Sequence, residues 1–226
     1  MNIFLKKKIL VYGLGKSGLS SFKFLKKKSE VFLYDDNSAK FKALNIKKNL
    51  ITYKNILKSR FDQIIISPGI DINKCKLSKF LKKNNDKVYS DLDVFYSFYK
   101  NDCITITGTN GKSTTAKILY DVLLDQKKDV RLVGNIGNPV LSERNITKKT
   151  IFVVEASSYQ LEYSKIFSSK YAIILNLSAD HIERHKNLKN YVNAKFKLLD
   201  TQNEKCVAYG KKNDVLINAK LKSKRF

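Results

Sequence analysis

Apolar and polar positions follow a repeating order along this chain: a short apolar run, a turn rich in glycine or acidic residues, then a stretch with helical period. Lys8–Tyr12 (KILVY) predicts a buried strand entering Gly13-Leu14-Gly15-Lys16-Ser17-Gly18. Leu19, Phe22, Phe24 and Leu25 then recur near helical spacing and predict a helix. Val31–Tyr34 (VFLY) predicts a second strand ending at Asp35-Asp36. Gln63–Ser67 (QIIIS) predicts a third running into Pro68-Gly69, and Val88-Tyr89 a short fourth. Strands separated by helical stretches predict an α/β fold, a parallel sheet with helices on both faces.

The order restarts near Asp102. Cys103–Thr107 (CITIT) predicts a strand, followed by Gly108-Thr109-Asn110-Gly111-Lys112-Ser113-Thr114. A helix is expected from about Ser113 to Gln126, with Ile118, Leu119, Val122 and Leu123 on its buried side. Ile151–Val154, Ala172–Leu177 and Cys206–Tyr209 predict further strands, and Leu188–Asp200 a helix. The restart divides the chain into an N-terminal Rossmann-like parallel-sheet domain, residues 1–95, and a P-loop-type ATP-binding α/β domain, residues 96–226, incomplete at its C-terminal end.

Composition sets limits on this picture. A hydrophobic content of 43% suffices for a packed core and excludes a disordered chain. No apolar run approaches the roughly 20 residues of a membrane span, and Lys6-Lys7-Lys8 precede a strand and not a signal peptide. Cys75, Cys103 and Cys206 are far apart and odd in number, which points to a reduced, cytoplasmic setting. The formal charge of +24 raises a nucleic-acid binder as one reading. Against it, Arg occurs only at 60, 131, 144, 184 and 225, whereas base readers rely on Arg. The scattered lysines, abundant Asn and Ile, and absent Trp match the profile of an AT-rich genome.

Two loops carry nucleotide chemistry. The first fits GxGxxG at 13, 15 and 18, follows a strand, opens a helix, and is trailed by Asp35. Glycines let the backbone approach a diphosphate, the helix start supplies N–H donors, and the acid is placed to accept bonds from a ribose or base. Gly15, Lys16, Ser17 and Asp35 are therefore candidate ligand contacts, with NAD the default ligand of such a loop. The second, TGTNGKST over 107–114, resembles a phosphate-binding P-loop. Its backbone would cradle ATP phosphates, Lys112 would neutralise them, and Ser113 would hold Mg²⁺. It departs from GxxxxGK[ST], whose first glycine would fall at Ile106. A nicotinamide-dependent oxidoreductase uses the first loop and leaves the second idle. An enzyme holding a UDP-linked substrate on one domain and ATP on the next uses both.

The remaining motifs resemble those of the Mur ligases, ATP-dependent amide-bond ligases of cell-wall synthesis, and in particular the branch that adds D-glutamate. They are Ser67-Pro68-Gly69-Ile70, Gly134-Asn135-Ile136-Gly137-Asn138-Pro139, Glu155-Ala156-Ser157-Ser158-Tyr159-Gln160-Leu161-Glu162 with Tyr159 in place of the family's Phe, Asn176-Leu177-Ser178-Ala179-Asp180-His181, and Tyr191-Val192-Asn193-Ala194-Lys195. The resemblance implies UDP-N-acetylmuramoyl-L-alanine and D-glutamate as substrates, ATP and Mg²⁺ as cofactors, an acyl-phosphate intermediate, a cytoplasmic monomer, and no nucleic-acid or membrane partner. It places Ser67, Pro68, Gly69 and Asn135 at the UDP-linked substrate. It gives Ser113 and Glu155 one Mg²⁺, and His181 and a carbamylated Lys195 a second, while Lys112, Asn135, His181 and Lys195 serve the reaction. On the residues alone, Glu155 reads equally as a strand-end carboxylate, His181 as a surface histidine, Lys195 as one more exposed lysine, and Asn135 as a turn cap. Lys197, on another helix face, is expected to matter little. No segment matches the family's third domain, which carries the D-glutamate site, so the chain alone is expected not to complete ligation.

Overall fold

The computed structural model describes residues 2–37, 39, 47–202 and 207–210. Nine strands form two sheets among the described residues. β1 (Lys8–Tyr12), β2 (Glu30–Tyr34), β3 (Gln63–Ile66) and β4 (Val88–Tyr89) lie in the order β2-β1-β3-β4. β5 (Cys103–Thr107), β6 (Val130–Gly134), β7 (Ile151–Glu155), β8 (Tyr171–Ile174) and β9 (Val207–Gly210) lie in the order β6-β7-β5-β8-β9. Every pairing is parallel. Parallel strands are covered on both faces, which is why these runs read as continuously apolar. Cys206, the first residue of the expected last strand, and the chain end at 211–226 lie outside the described residues.

In each sheet the strand order reverses once, beside β1 in the first and beside β5 in the second. Ligands of such sheets gather at that reversal, beyond the carboxyl ends of the strands. The loops there are Gly13–Gly18 beside the Ser67 turn, and Gly108–Gly111 beside Asn176.

Eight α-helices complete the described residues: α1 (Lys16–Leu25), α2 (Tyr53–Lys58), α3 (Ser78–Lys83), α4 (Asp91–Phe98), α5 (Lys112–Asp125), α6 (Ser158–Glu162), α7 (Ile182–His185) and α8 (Leu188–Asp200). None is long and apolar enough to cross a membrane. The face expected for α5 is corrected by the structure. Leu119 and Leu123 pack with Ala116 against the sheet, whereas Ile118 and Val122 are exposed at 58% and 46%. The sheet covers a single stripe of this helix, and those two residues lie at its flank.

The two sheets share buried core. Leu92, Val94 and Phe95 of α4 belong to the cluster that includes Val11 and Phe22 on one side and Phe152 and Leu198 on the other. Phe95 meets Phe152 edge-on at 4.8 Å between ring centroids. Asp93, fully buried, accepts at Oδ1 from the backbone N–H groups of Lys165, Ile166 and Phe167 at 2.8–3.0 Å and from Ser164 Oγ at 3.1 Å. Its Oδ2 accepts from Ser90, closing the capping box of α4. One carboxylate thus satisfies polar groups of both halves that would otherwise be buried without partners.

Candidate functional site

The first loop is built by close approach. Gly18 passes so near the Gly13 carbonyl that an added Cβ would lie 1.8 Å from its oxygen. Ser67, at the end of β3, fixes the same loop by donating from Oγ to Gly13 O at 2.7 Å. Gly15 and Lys16 are exposed at the start of α1, so its first N–H groups face outward as donors. Asp35 is tied into the loop itself. It is 4% exposed, its Oδ2 accepts from Leu14 N at 2.7 Å and its Oδ1 from Asn37 N at 2.9 Å. It does not line the adjoining cavity. Its bonds tie the glycine loop to the end of β2.

That cavity, of about 370 Å³, is walled by Gly15, Lys16 and Ser17 and by the Ser67–Ile70 turn on one side. Gly134, Asn135, Gly137 and Gln160 wall it from the second sheet. Gly134 must be glycine, since its φ is +112° and a Cβ would meet Glu155 O at 2.2 Å. This contact brings Asn135 beside β7, where its Nδ2 donates to Glu155 Oε1 at 2.9 Å. Glu155 is 1% exposed and its Oε2 has no hydrogen-bond partner.

A second cavity lies beyond Asn135, which lines both. Lys112, Ser157, Tyr159, His181 and Lys195 also face it. Lys112 Nζ folds back onto its own loop and donates to Thr109 O at 2.7 Å. The loop is clamped from β8: Asn176 Oδ1 accepts from Asn110 N at 2.9 Å and its Nδ2 donates to Asn110 O at 3.1 Å. Gly111 caps α5 with φ +81°, and Ser113 and Thr114 are exposed in the first turn of that helix.

Lys195 is 1% exposed, on the inner face of α8. Its Nζ donates to Gly108 O at 2.8 Å and lies 4.7 Å from the Tyr191 ring centroid. Burial, and after it the Lys112 charge, push its ammonium down to about 7. The reading of Lys195 as one more solvated lysine is therefore excluded. Lys197 is half-buried and donates from Nζ to Glu162 O, with burial holding its pKa down.

His181 is 44% exposed and adopts a left-handed φ of 52°, sparsely populated for any residue but glycine. Its ring packs 4.8 Å from that of Tyr159, whose hydroxyl donates to Glu183 Oε1 at 3.3 Å. Two contributors escaped the sequence reading, His185 and Arg184, while Tyr191 and Asn176 stood in the quoted motifs without a stated role. His185 is buried with Nε2 3.0 Å from Ser158 Oγ, and burial holds its pKa down. Tyr191 Oη lies 3.0 Å from Thr109 Oγ1. Arg184 bonds Glu162 and Tyr163. The spacing of His185 four residues after His181 was the only available signal for these two. The SSYQLE segment now reads residue by residue. Ser157 and Gln160 close the capping box of α6, Ser158 meets His185, Tyr159 meets His181, and Glu162 meets Arg184.

Among the described residues no group of three or more His, Cys, Asp or Glu side chains is arranged to hold a metal. The unpartnered Oε2 of Glu155 nevertheless fits a cation. The arrangement suits an ion that takes one or two carboxylates from protein and the rest of its ligands from phosphate and water, as Mg²⁺ does.

Comparison with known proteins adds the following. The Mur ligase middle domain family matches residues 106–225, and the Mur ligase MurD-like N-terminal domain matches residues 7–88. The UDP-N-acetylmuramoylalanine–D-glutamate ligase of Rickettsia bellii is 38% identical over 204 residues, covering 88% of this chain and 45% of the relative. That of Caldicellulosiruptor bescii is 36% identical over 209 residues, covering 88% and 46%. The chain thus spans less than half the length of these curated relatives. Two solved structures share the fold. A UDP-N-acetylmuramate:L-alanyl-gamma-D-glutamyl-meso-diaminopimelate ligase from Neisseria meningitides has a TM-score of 0.59 at 17% identity, over 96% of this chain and 75% of that one. A UDP-N-acetylmuramate-alanine ligase from Thermotoga maritima has a TM-score of 0.53 at 19% identity, over 95% and 51%.

Proposed function

Because this chain belongs to the Mur ligase family, we propose that residues 1–95 bind UDP-N-acetylmuramoyl-L-alanine, that residues 96–226 bind ATP, and that together they activate the alanyl carboxylate for amide formation with D-glutamate. The observation that carries this reading is Asn135, which lines the cavity at the first loop and also the cavity of Lys112, His181 and Lys195. A ligand whose diphosphate lies on the Gly13–Gly18 loop can extend past Gln160 and deliver its far end to Asn135. That end is a carboxylate in UDP-N-acetylmuramoyl-L-alanine.

The chemistry requires two anions to meet. A carboxylate oxygen attacks the γ-phosphorus, ADP leaves, and an acyl phosphate results. The amine of D-glutamate then adds to the acyl carbon, loses a proton, and phosphate departs. Lys112 would exchange its bond to Thr109 O for the phosphates, with the backbone of Gly108–Thr114 as cradle. Asn135 Nδ2 would share its donors between Glu155 and the reacting carboxylate, and His181 would face the same atoms. Ser113 and Glu155 would hold Mg²⁺, which when bound with ATP supplies positive charge to the phosphate oxygens. Lys195 would serve a second ion once carbamylated, since a carbamate is an oxygen ligand and an ammonium is not. The reaction is assigned to the cytoplasm, and the protein to a monomer. Calorimetric titration with UDP-N-acetylmuramoyl-L-alanine and with NADH tests the first step of this reading. Binding of the UDP ligand in clear preference is expected, and equal affinity for the two would overturn it.

A further inference from the structure

Arg184 joins the wall of one cavity to the wall of the other. Its side chain is 8% exposed although charged, so its burial must be offset by hydrogen bonds. Nη2 donates to the Ile70 carbonyl at 2.7 Å and to Tyr163 Oη at 2.6 Å, and it lies 2.9 Å from Glu162 Oε2. Ile70 closes the Ser67–Ile70 turn of the first cavity. The Tyr163 hydroxyl donates to that same carbonyl and accepts from Ile72 N, each at 3.2 Å. Toward the second cavity, the guanidinium lies 5.1 Å over the Tyr159 ring, which packs against His181. Arg184 also shares the short helix α7 with His181, its left-handed cap.

We propose that Arg184 is a positioning residue that couples the Ser67–Ile70 turn to His181, so that a UDP group held against the turn resets the imidazole in the second cavity. The inference rests on the reading above in taking UDP as the ligand of the first cavity. The physical basis is the planar fork of the guanidinium. Its donors have fixed relative directions, so a small displacement of the Ile70 carbonyl cannot be absorbed by one bond alone. The ring stacked beneath the fork moves with it, and the left-handed φ of His181 marks the strained point of the backbone at which such a displacement is taken up.

The sequence holds two histidines, His181 and His185, so a chain labelled in its imidazoles gives two signals. A His185→Gln sample assigns them. The probe is UDP alone, which carries no arm able to reach His181. Saturating UDP is expected to shift the His181 signal in the native chain. In Arg184→Met the shift should be several-fold smaller while calorimetry still reports UDP binding. If Arg184→Met does not fold, Arg184→Lys decides, because it keeps the charge and loses the fork. An undiminished shift in the variant, or no shift in the native chain with UDP bound, would overturn the proposal. Failure of the native chain to bind UDP would instead remove the substrate reading, and the coupling with it.

Discussion

Lys195 offers the sharpest test of the second cavity. An ordinary lysine, with a pKa near 10.5, holds about 0.3% of its side chain as free amine at pH 8. Lys195, pushed down to about 7, holds about nine-tenths in that form. Only the free amine adds to carbon dioxide, forming the N–C bond and losing a proton. The enrichment of roughly 300-fold therefore predicts selective carbamylation at this position. In ¹³C-bicarbonate at pH 8, the native chain should give one side-chain carbamate resonance beside that of the α-amino group, whose pKa of about 8 also leaves free amine, and Lys195→Met should lack the side-chain resonance. The same burial predicts a stability effect whose sign can be worked out. Between pH 7 and 10.5 the unfolded chain keeps a proton that the folded chain has lost, so native stability rises with pH across this window. The penalty is full below pH 7, where it amounts to at most about 5 kcal/mol. Lys195→Met should therefore stabilise the chain most in mildly acidic buffer and progressively less toward pH 10, less the lost bond to Gly108 O. Absence of the side-chain carbamate signal from the native chain, or its persistence in Lys195→Met, would refute the reasoning. So would a stability difference that does not change with pH.

Other perturbations follow from the same geometry. Asp93→Asn replaces acceptor with donor among six bonds to buried or half-buried groups, and urea unfolding should show a loss of about 3–5 kcal/mol. Asp91, buried beside Ser17, has its carboxyl raised from 3.8 to about 6 by burial, so its ionisation costs stability above that pH. Asp91→Asn should raise the melting temperature at pH 8 and bring little benefit at pH 4, the ceiling being about 3 kcal/mol. Gly18→Ala should destabilise by about 1–3 kcal/mol through its clash with Gly13 O, whereas Gly15→Ala, with open space around its Cβ, should melt as the native chain does.

Eight of the nine described strands and both nucleotide loops were legible because their signals are local; β6, at the sheet edge and interrupted by Arg131, was not expected. A strand covered on both faces is apolar throughout, and a loop that approaches its own backbone must contain glycine. What the sequence concealed depends on approach between distant segments. Nothing at Asp35 distinguishes a carboxylate aimed at a ligand from one bonded to Leu14 N. The period of α5 placed Ile118 with Leu119, but only the position of the sheet decides which of them is covered. Lys195 and Lys197 look alike among many lysines, and one lies beside the phosphate loop while the other braces Glu162. Arg184 was noted only as one arginine among five. Its part became visible once the Ser67–Ile70 turn and α7 were seen to meet.

The bond between the two halves also has a place in time. Asp93 and its four partners at 164–167 are 71–74 residues apart. At about 5–20 residues per second on the ribosome, α4 is made roughly 4–15 s before those partners exist. Throughout that interval the Asp93 carboxylate stays hydrated, and Phe95 lacks the ring of Phe152. The N-terminal half is therefore born with an unfinished flank. Slow codons between positions 93 and 199 would prolong its exposure to proteases and to other nascent chains, since Leu198 and Leu199 complete the same cluster.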